Sequence, residues 1–174
     1  MGARSCRDPC LVAAKLGASC VGPLHALYAA LVSTRREKQK VLCYIVRSRR
    51  LLVFKHLDEP WEESGLQVPA GSIKPEGSPE AAALREAQEE TGLGAFRLVR
   101  KVGETTYDMA PYRPELQHRH VFHLEVDEEA PDRWISHEND PDGGSGPRRF
   151  ECYWIPLAQG HALSAGQGAL LGQL

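Results

Sequence analysis

Residues 71–93, GSIKPEGSPEAAALREAQEETGL, decide how the rest of this chain is read. The stretch opens as a loop, with Gly71, Pro75 and Gly77 close together, and changes character at Ser78. Serine caps a helix by accepting a backbone N–H, and Pro79 suits the first helical position, where a missing N–H costs nothing. Gly92 is placed to end the helix in the left-handed conformation. Between these marks lie Glu86, Glu89 and Glu90, which at about 100° per residue share one sector of the helix. Ala81 and Leu84 are expected on the other side, towards a core. Acids gathered on one face repel each other, so a bare helix gains nothing from them. A divalent cation converts that repulsion into binding, and hard oxygen ligands suit Mg²⁺ or Mn²⁺. Acid-rich helices are more often solvated faces, and the glutamates alone favour that plainer reading.

The longer pattern tips the balance. The stretch resembles the Nudix box, G-x5-E-x7-R-E-U-x-E-E-x-G-U, where U is a bulky aliphatic residue. Gly71 matches its first glycine, Arg85-Glu86 its central pair, Glu89-Glu90 its second acidic pair and Gly92-Leu93 its close. Ala87 is smaller than the usual aliphatic residue, and Gly77 stands where the family has its first glutamate. Glu76 is the neighbouring stand-in for that glutamate; Glu80 is a poorer one, about 120° round the helix from Glu86.

The resemblance implies an α/β fold, an α/β/α sandwich around a mixed β-sheet. It implies hydrolysis of a nucleoside diphosphate linked to another group X, as in nucleotide sugars or dinucleotides, with Mg²⁺ or Mn²⁺ as cofactor. Glu86, Glu89 and Glu90 are then the metal ligands, with the backbone carbonyl of Gly71 a further one. Arg85, four residues before Glu89, orients it by a charge-assisted hydrogen bond. Family members take the general base from the box or from a later loop. Glu138, in SHENDPDGGSG, is the choice made here, with Glu115 as the other loop acid.

The chain of 174 residues suits one domain with a substantial core, and 42% hydrophobic with 25% charged residues is ordinary for a soluble protein. A formal net charge of -2 gives no electrostatic reason to expect nucleic acid or an anionic membrane as partner. The expected partner is a small nucleoside diphosphate derivative, and a homodimer stays open. Five cysteines at irregular spacings do not form a disulfide framework. Cys6, Cys10 and Cys20 lack zinc-site spacing, Cys43 and Cys152 read as core, and a reducing cytoplasm fits. Residues 1–40, basic and broken by Gly17, Gly22 and Pro23, are expected as a weakly ordered N-terminal extension, with the hydrolase domain at 41–174.

Within that domain VLCYIVRS and RLLVFKH predict a hairpin around Arg49, and Gln67–Pro69 a short strand delivering Gly71. FRLVRKVGETTYDM predicts a long strand bent at Gly103, HRHVFHLEV an alternating one and Phe150–Leu157 the last. Asp127–Arg149 reads as a long loop, and the tail from Ala158 as partly helical. His118 and His120 share one strand face and, with Arg119 between them and Tyr112 on the preceding loop, are the expected substrate contacts. Burial with a hydrogen-bonded neighbour is the commoner fate of such histidines, and a surface salt bridge that of Arg119. The marks of the coenzyme A and NADH types are missing, so the subclass stays open. A catalytically quiet module that binds a nucleotide or a protein is the alternative, motivated by Gly77; cleavage of a non-nucleotide pyrophosphate is a third.

Overall fold

The computed structural model describes residues 35–126, 129–139 and 146–174. The expected extension lies outside the described residues as far as residue 34, and so do Cys6, Cys10 and Cys20. Arg36–Lys40, read from sequence as the end of that extension, are already strand, because they pair with Glu115–Arg119.

The organising strand is β1, Arg36–Arg47. Its segment Val41–Ile45 is at most 2% exposed, which requires cover on both faces. β2 (Arg50–His56) follows through the expected hairpin. Ser48 and Arg49 take φ of 50° and 60°, the left-handed pair a two-residue hairpin needs to match strand twist. The remaining strands are β3 (Ala70–Ser72), β4 (Phe96–Asp108), β5 (Glu115–Val126), β6 (Arg133–Glu138) and β7 (Arg148–Pro156). They form a seven-stranded sheet in the order β4-β5-β1-β2-β7-β6, with β3 also on β1. β1 runs parallel to β5 and every other pairing is antiparallel, so the sheet is mixed. Register shifts beside Gly103 bend β4 as its glycine suggested.

Side-chain parity assigns the two faces. Val41, Cys43 and Ile45, with Phe122, Leu124, Leu52 and Phe54, pack under helix α2 (Pro79–Thr91), the helix after the single turn α1 (Trp61–Ser64). Leu42 and Tyr44, with Val121, Leu51 and Val53, face the opposite way and meet the C-terminal segment. That segment was expected to be partly helical. It is helical in part, as two short 3-10 helices at Leu157–Ala162 and Leu171–Gln173. Gly160 shows why: a Cβ there would lie 2.1 Å from Leu171 Cδ1, so the tail doubles back on itself where a helix would run straight. The fold is therefore α/β with a mixed sheet and few helices. No helix among the described residues is long and apolar enough to cross a membrane.

Two further expectations change. The long loop at 127–149 contains β6, whose inward residues Ser136 and Glu138 are polar while Ile135 points out at 57% exposure. The strand delivering Gly71 is Ala70–Ser72 itself; Gln67 only bridges Phe54.

The hairpin yields a stability test. Replacing Ser48-Arg49 by Asn-Gly, which favour left-handed φ, should raise unfolding free energy by about 1 kcal/mol. Urea titration reads this as a higher midpoint at unchanged slope.

Candidate active site

Helix α2 begins and ends as its residues dictate. Ser78 Oγ accepts from Ala81 N at 3.1 Å, Pro79 takes the first turn, and Gly92 closes it at φ 70°. The buried face carries Ala82, Ala83 and Ala87 together with Glu86 and Glu90, whereas Ala81 is exposed and Leu84 half-buried. The acids thus share the core side, and small residues make this possible. Cys43 Sγ reaches Ala83 O at 3.2 Å, an approach that a bulky side chain in place of Ala83 or Ala87 would prevent.

That proximity joins the helix to β3, one residue at a time. Glu90 Oε2 accepts from Ala70 N at 2.8 Å. The Glu86 carboxyl fills the space beside Gly71, where a Cβ would lie 1.8 Å from its Cδ. Arg85 Nη2 donates to Ser72 O at 2.8 Å and to Glu86 Oε1 at 2.7 Å, while its Nη1 donates to Glu89 Oε2 at 2.7 Å. Arg85 makes the hydrogen bond to Glu89 that the spacing suggested, and one to Glu86 as well. Burial opposes its charge, but the charges of Glu86 and Glu89 outweigh that and raise its pKa.

Glu138 joins this group from the far side. It ends β6 and is 7% exposed, not a loop acid. Trp134 Nε1 donates to Thr91 O at 2.7 Å, and Ser136 Oγ approaches the Cβ direction of Gly92 at 3.2 Å, so β6 is docked on the end of α2. Ligand oxygens of Glu86, Glu89 and Glu138 consequently lie within 4.8 Å of one another. Three hard carboxylates at that separation, one of them partly solvent-exposed, suit a small divalent cation. Glu90 stands beside this group, held by Ala70. Burial pushes its carboxyl pKa well above the ordinary range; Glu86 and Glu138 add to the rise, and the Ala70 N–H and Lys40 counter it. Glu76 and Glu80 are exposed on the turn and first helical residues and do not enter the cluster.

The expected substrate contacts divide between the faces. Val41 pairs with His120 and Gln39 with His118, which places both histidines on the α2 face. With Gln39, Glu104, Thr105, Thr106 and Arg119 they line a cleft of about 450 Å³. Arg119 projects to the other face and is 4% exposed. Its guanidinium bonds Gln117 Oε1 and Ala165 O and lies 4.2 Å over the Tyr107 ring, so it clamps the C-terminal segment. Tyr112 is 86% exposed at the β4–β5 turn. Glu115, expected on a loop, opens β5 and is paired with Lys38 at 2.9 Å. Sequence reasoning missed Trp134 and Ser136 as the groups that bring Glu138 in; the alternation of RWISHE was the available signal.

A family model described as NUDIX domain matches residues 28–169. No curated protein matches the chain. Among solved structures, a MutT NUDIX hydrolase from Burkholderia pseudomallei superposes with a TM-score of 0.57 at 20% identity, covering 80% of this chain and 99% of that one. A MutT protein from Methanosarcina mazei Go1 gives 0.59 at 15% identity, covering 80% and 94%. A UDP-X diphosphatase gives 0.57 at 16% identity, covering 94% and 76%. At these identities the likeness is one of fold.

Two outcomes are expected. Gly71→Ala should leave the protein folded but displace Glu86 and lower turnover by about a hundredfold, the usual cost of a misplacement near 1 Å. Circular dichroism and a turnover assay distinguish this from unfolding. In chelator, stability should fall as pH rises from the ordinary glutamate value of 4.5 through the raised pKa of Glu90, because the unfolded chain releases that proton first. Glu90→Gln keeps an acceptor for Ala70 N and should flatten the decline, as read by urea titrations at acid and alkaline pH.

Proposed function

The chain belongs to the NUDIX domain family, and from that premise we propose that it hydrolyses the diphosphate of a nucleoside diphosphate linked to another group, with Mg²⁺ or Mn²⁺ as cofactor. The observation that carries this reading is the mutual approach of Glu86, Glu89 and Glu138 within 4.8 Å on a box-matching helix. A cation held there would neutralise diphosphate charge and polarise the phosphoryl group that water attacks.

The chain's own residues divide the remaining work. Glu86 and Glu89 are the proposed ligands. Arg85 fixes both, and ligands pinned by a second hydrogen bond keep their geometry as charge redistributes. Glu138 closes the ring from β6, and its carboxylate is the proposed acceptor of the water's proton. Glu90 and the Gly71 carbonyl complete the proposed set from the β3 side. Glu90 also fixes the strand through Ala70 N, which holds Gly71 against Glu86. The structural likeness to a UDP-X diphosphatase supports a diphosphate with a variable second group, as does the open cleft on the same face.

Glu89→Gln and Glu138→Gln should each lower turnover of a cleaved nucleoside diphosphate derivative by roughly a hundredfold or more while leaving the melting temperature within a few degrees. Full activity in Glu138→Gln would remove it from the proton-transfer role; full activity in Glu89→Gln would overturn the ligand set.

A further inference from the structure

β3, which carries Gly71, has a strand on one side only. Among the described residues it pairs with β1 alone, and Gln67 bridges Phe54 of β2 before the strand begins. In an antiparallel pair, successive residues turn their backbone groups to alternate sides. The odd residues face β1: Pro69 O accepts from Cys43 N at 2.8 Å, Gly71 pairs with Val41, and Ile73 N donates to Gln39 O at 3.0 Å. Val68, Ala70 and Ser72 therefore direct their N–H and C=O groups to the side where no strand runs. Buried backbone groups need partners, and Val68 is fully buried.

Side chains stand in for the missing strand. Glu90 Oε2 accepts from Ala70 N at 2.8 Å, and Arg85 Nη2 donates to Ser72 O at 2.8 Å. Both come from α2. Gln167 Oε1 accepts from Val68 N at 2.8 Å, and it comes from a segment 99 residues away in sequence. Its own place is fixed before it meets Val68. Gln167 is 5% exposed, its carbonyl accepts from Tyr44 Oη at 2.5 Å, and its N–H donates to Ser164 O at 3.0 Å. Ser164 N donates to Leu66 O at 2.8 Å, and Arg119 Nη1 to Ala165 O at 2.6 Å, so the turn that carries Gln167 is held on both sides. Gly71 follows shortly after Val68 and has no slack: an added Cβ would lie 1.8 Å from Glu86 Cδ, so a slide of β3 along β1 changes that contact first.

Resting on the hydrolysis reading above, we propose that Gln167 is a positioning residue of the carboxylate site: it latches the open edge of β3 at Val68, as Glu90 and Arg85 latch it at Ala70 and Ser72, and so fixes Gly71 beneath Glu86. Residues that orient the ligands of a metal change its affinity or the turnover by roughly 10- to 100-fold when they are lost. The influence of Gln167 passes through the strand to the ligands, so it belongs in kcat and in cation affinity, not in KM.

The test combines calorimetry with Mn²⁺ and steady-state kinetics on a cleaved nucleoside diphosphate derivative, using variants of the full chain. Gln167→Met, which keeps the length and removes the carbonyl oxygen, should weaken Mn²⁺ binding and lower kcat by roughly tenfold or more, with KM little changed. Gln167→Glu keeps an acceptor oxygen and should recover much of both. Tyr44→Phe loosens the same turn without touching the Val68 bond. It should lower the melting temperature and leave kcat and Mn²⁺ affinity as in the wild type. Unchanged kcat and affinity in Gln167→Met, or an equal loss in Tyr44→Phe, would overturn the proposal. Where Gln167→Met does not fold, Gln167→Asn, whose acceptor is drawn back by one methylene, takes its place under the same criteria. If the wild type cleaves no compound, the hydrolysis reading fails separately. Mn²⁺ binding then decides alone: weakening in Gln167→Met upholds the positioning role, and absent or unchanged binding rejects it.

Discussion

The contact on which everything else depends is that of the Glu86 carboxyl with a glycine that has no side chain. Gly71 leaves room for one carboxyl and nothing more, since a single added carbon would lie 1.8 Å from Glu86 Cδ. The consequence is unusual burial for an acid: Glu86 is 3% exposed. A buried carboxylate costs several kcal/mol unless it is paired and hydrogen-bonded. Arg85 supplies the pairing at 2.7 Å and takes its own position from Ser72 O. The helix, the short strand and the acids therefore hold one another, and no one of them can be moved alone.

Around that contact, packing against neighbouring strands does what the helix cannot. α2 covers the sheet with three alanines, a thin apolar stripe that lets the backbone approach Cys43 closely and lowers the acids into the protein. Acids this close resist approach unless something outside the helix fixes them. β3 fixes Glu90 through Ala70, and β6 brings Glu138 through Trp134 and Ser136. On the opposite face Arg119 and Gln167 tie the C-terminal segment to the sheet. Gln167 Oε1 accepts from Val68 N at 2.8 Å, which steadies the chain just before β3, and Arg119 holds Ala165 O in the same turn.

How much of this the sequence disclosed follows from how local each cause is. The helix limits, the hairpin around Ser48-Arg49 and the bend at Gly103 depend on a residue and its immediate neighbours, and they were legible. So was the contact of Arg85 with Glu89, set by spacing along one helix. The sector holding the acids was legible too, but its orientation was not. Whether acids or Ala81 and Leu84 face inward depends on Gly71, which comes from another strand. Glu138 was singled out but put in a loop, because β6 turns Ile135 outward and Ser136 inward, inverting the usual alternation. Arg119 was grouped with its neighbours although strand parity alone turns it to the other face; what lay there, Ala165 and Tyr107, is distant in sequence.

Gly77, the departure from the box, gains a physical account from the same geometry. Its N–H donates to Lys74 O at 2.8 Å in a tight turn, and a Cβ at 77 would come to 3.3 Å from that carbonyl. The turn favours a residue without a side chain, and the acids nearest in sequence, Glu76 and Glu80, stay exposed. The acidic group does not draw on this loop. It gathers two carboxylates from α2 and one from β6, and the guanidinium that aligns the helix pair rests on Ser72 O, which precedes the turn. A missing glutamate at 77 therefore removes a charge from the rim and leaves the centre intact. For the same reason the departure gives no support to a quiet module: a degraded centre would show its acids splayed or neutralised by stray cations. Here one arginine binds Glu86 and Glu89 in a defined fork, and an oxygen of each lies within 4.8 Å of one from Glu138.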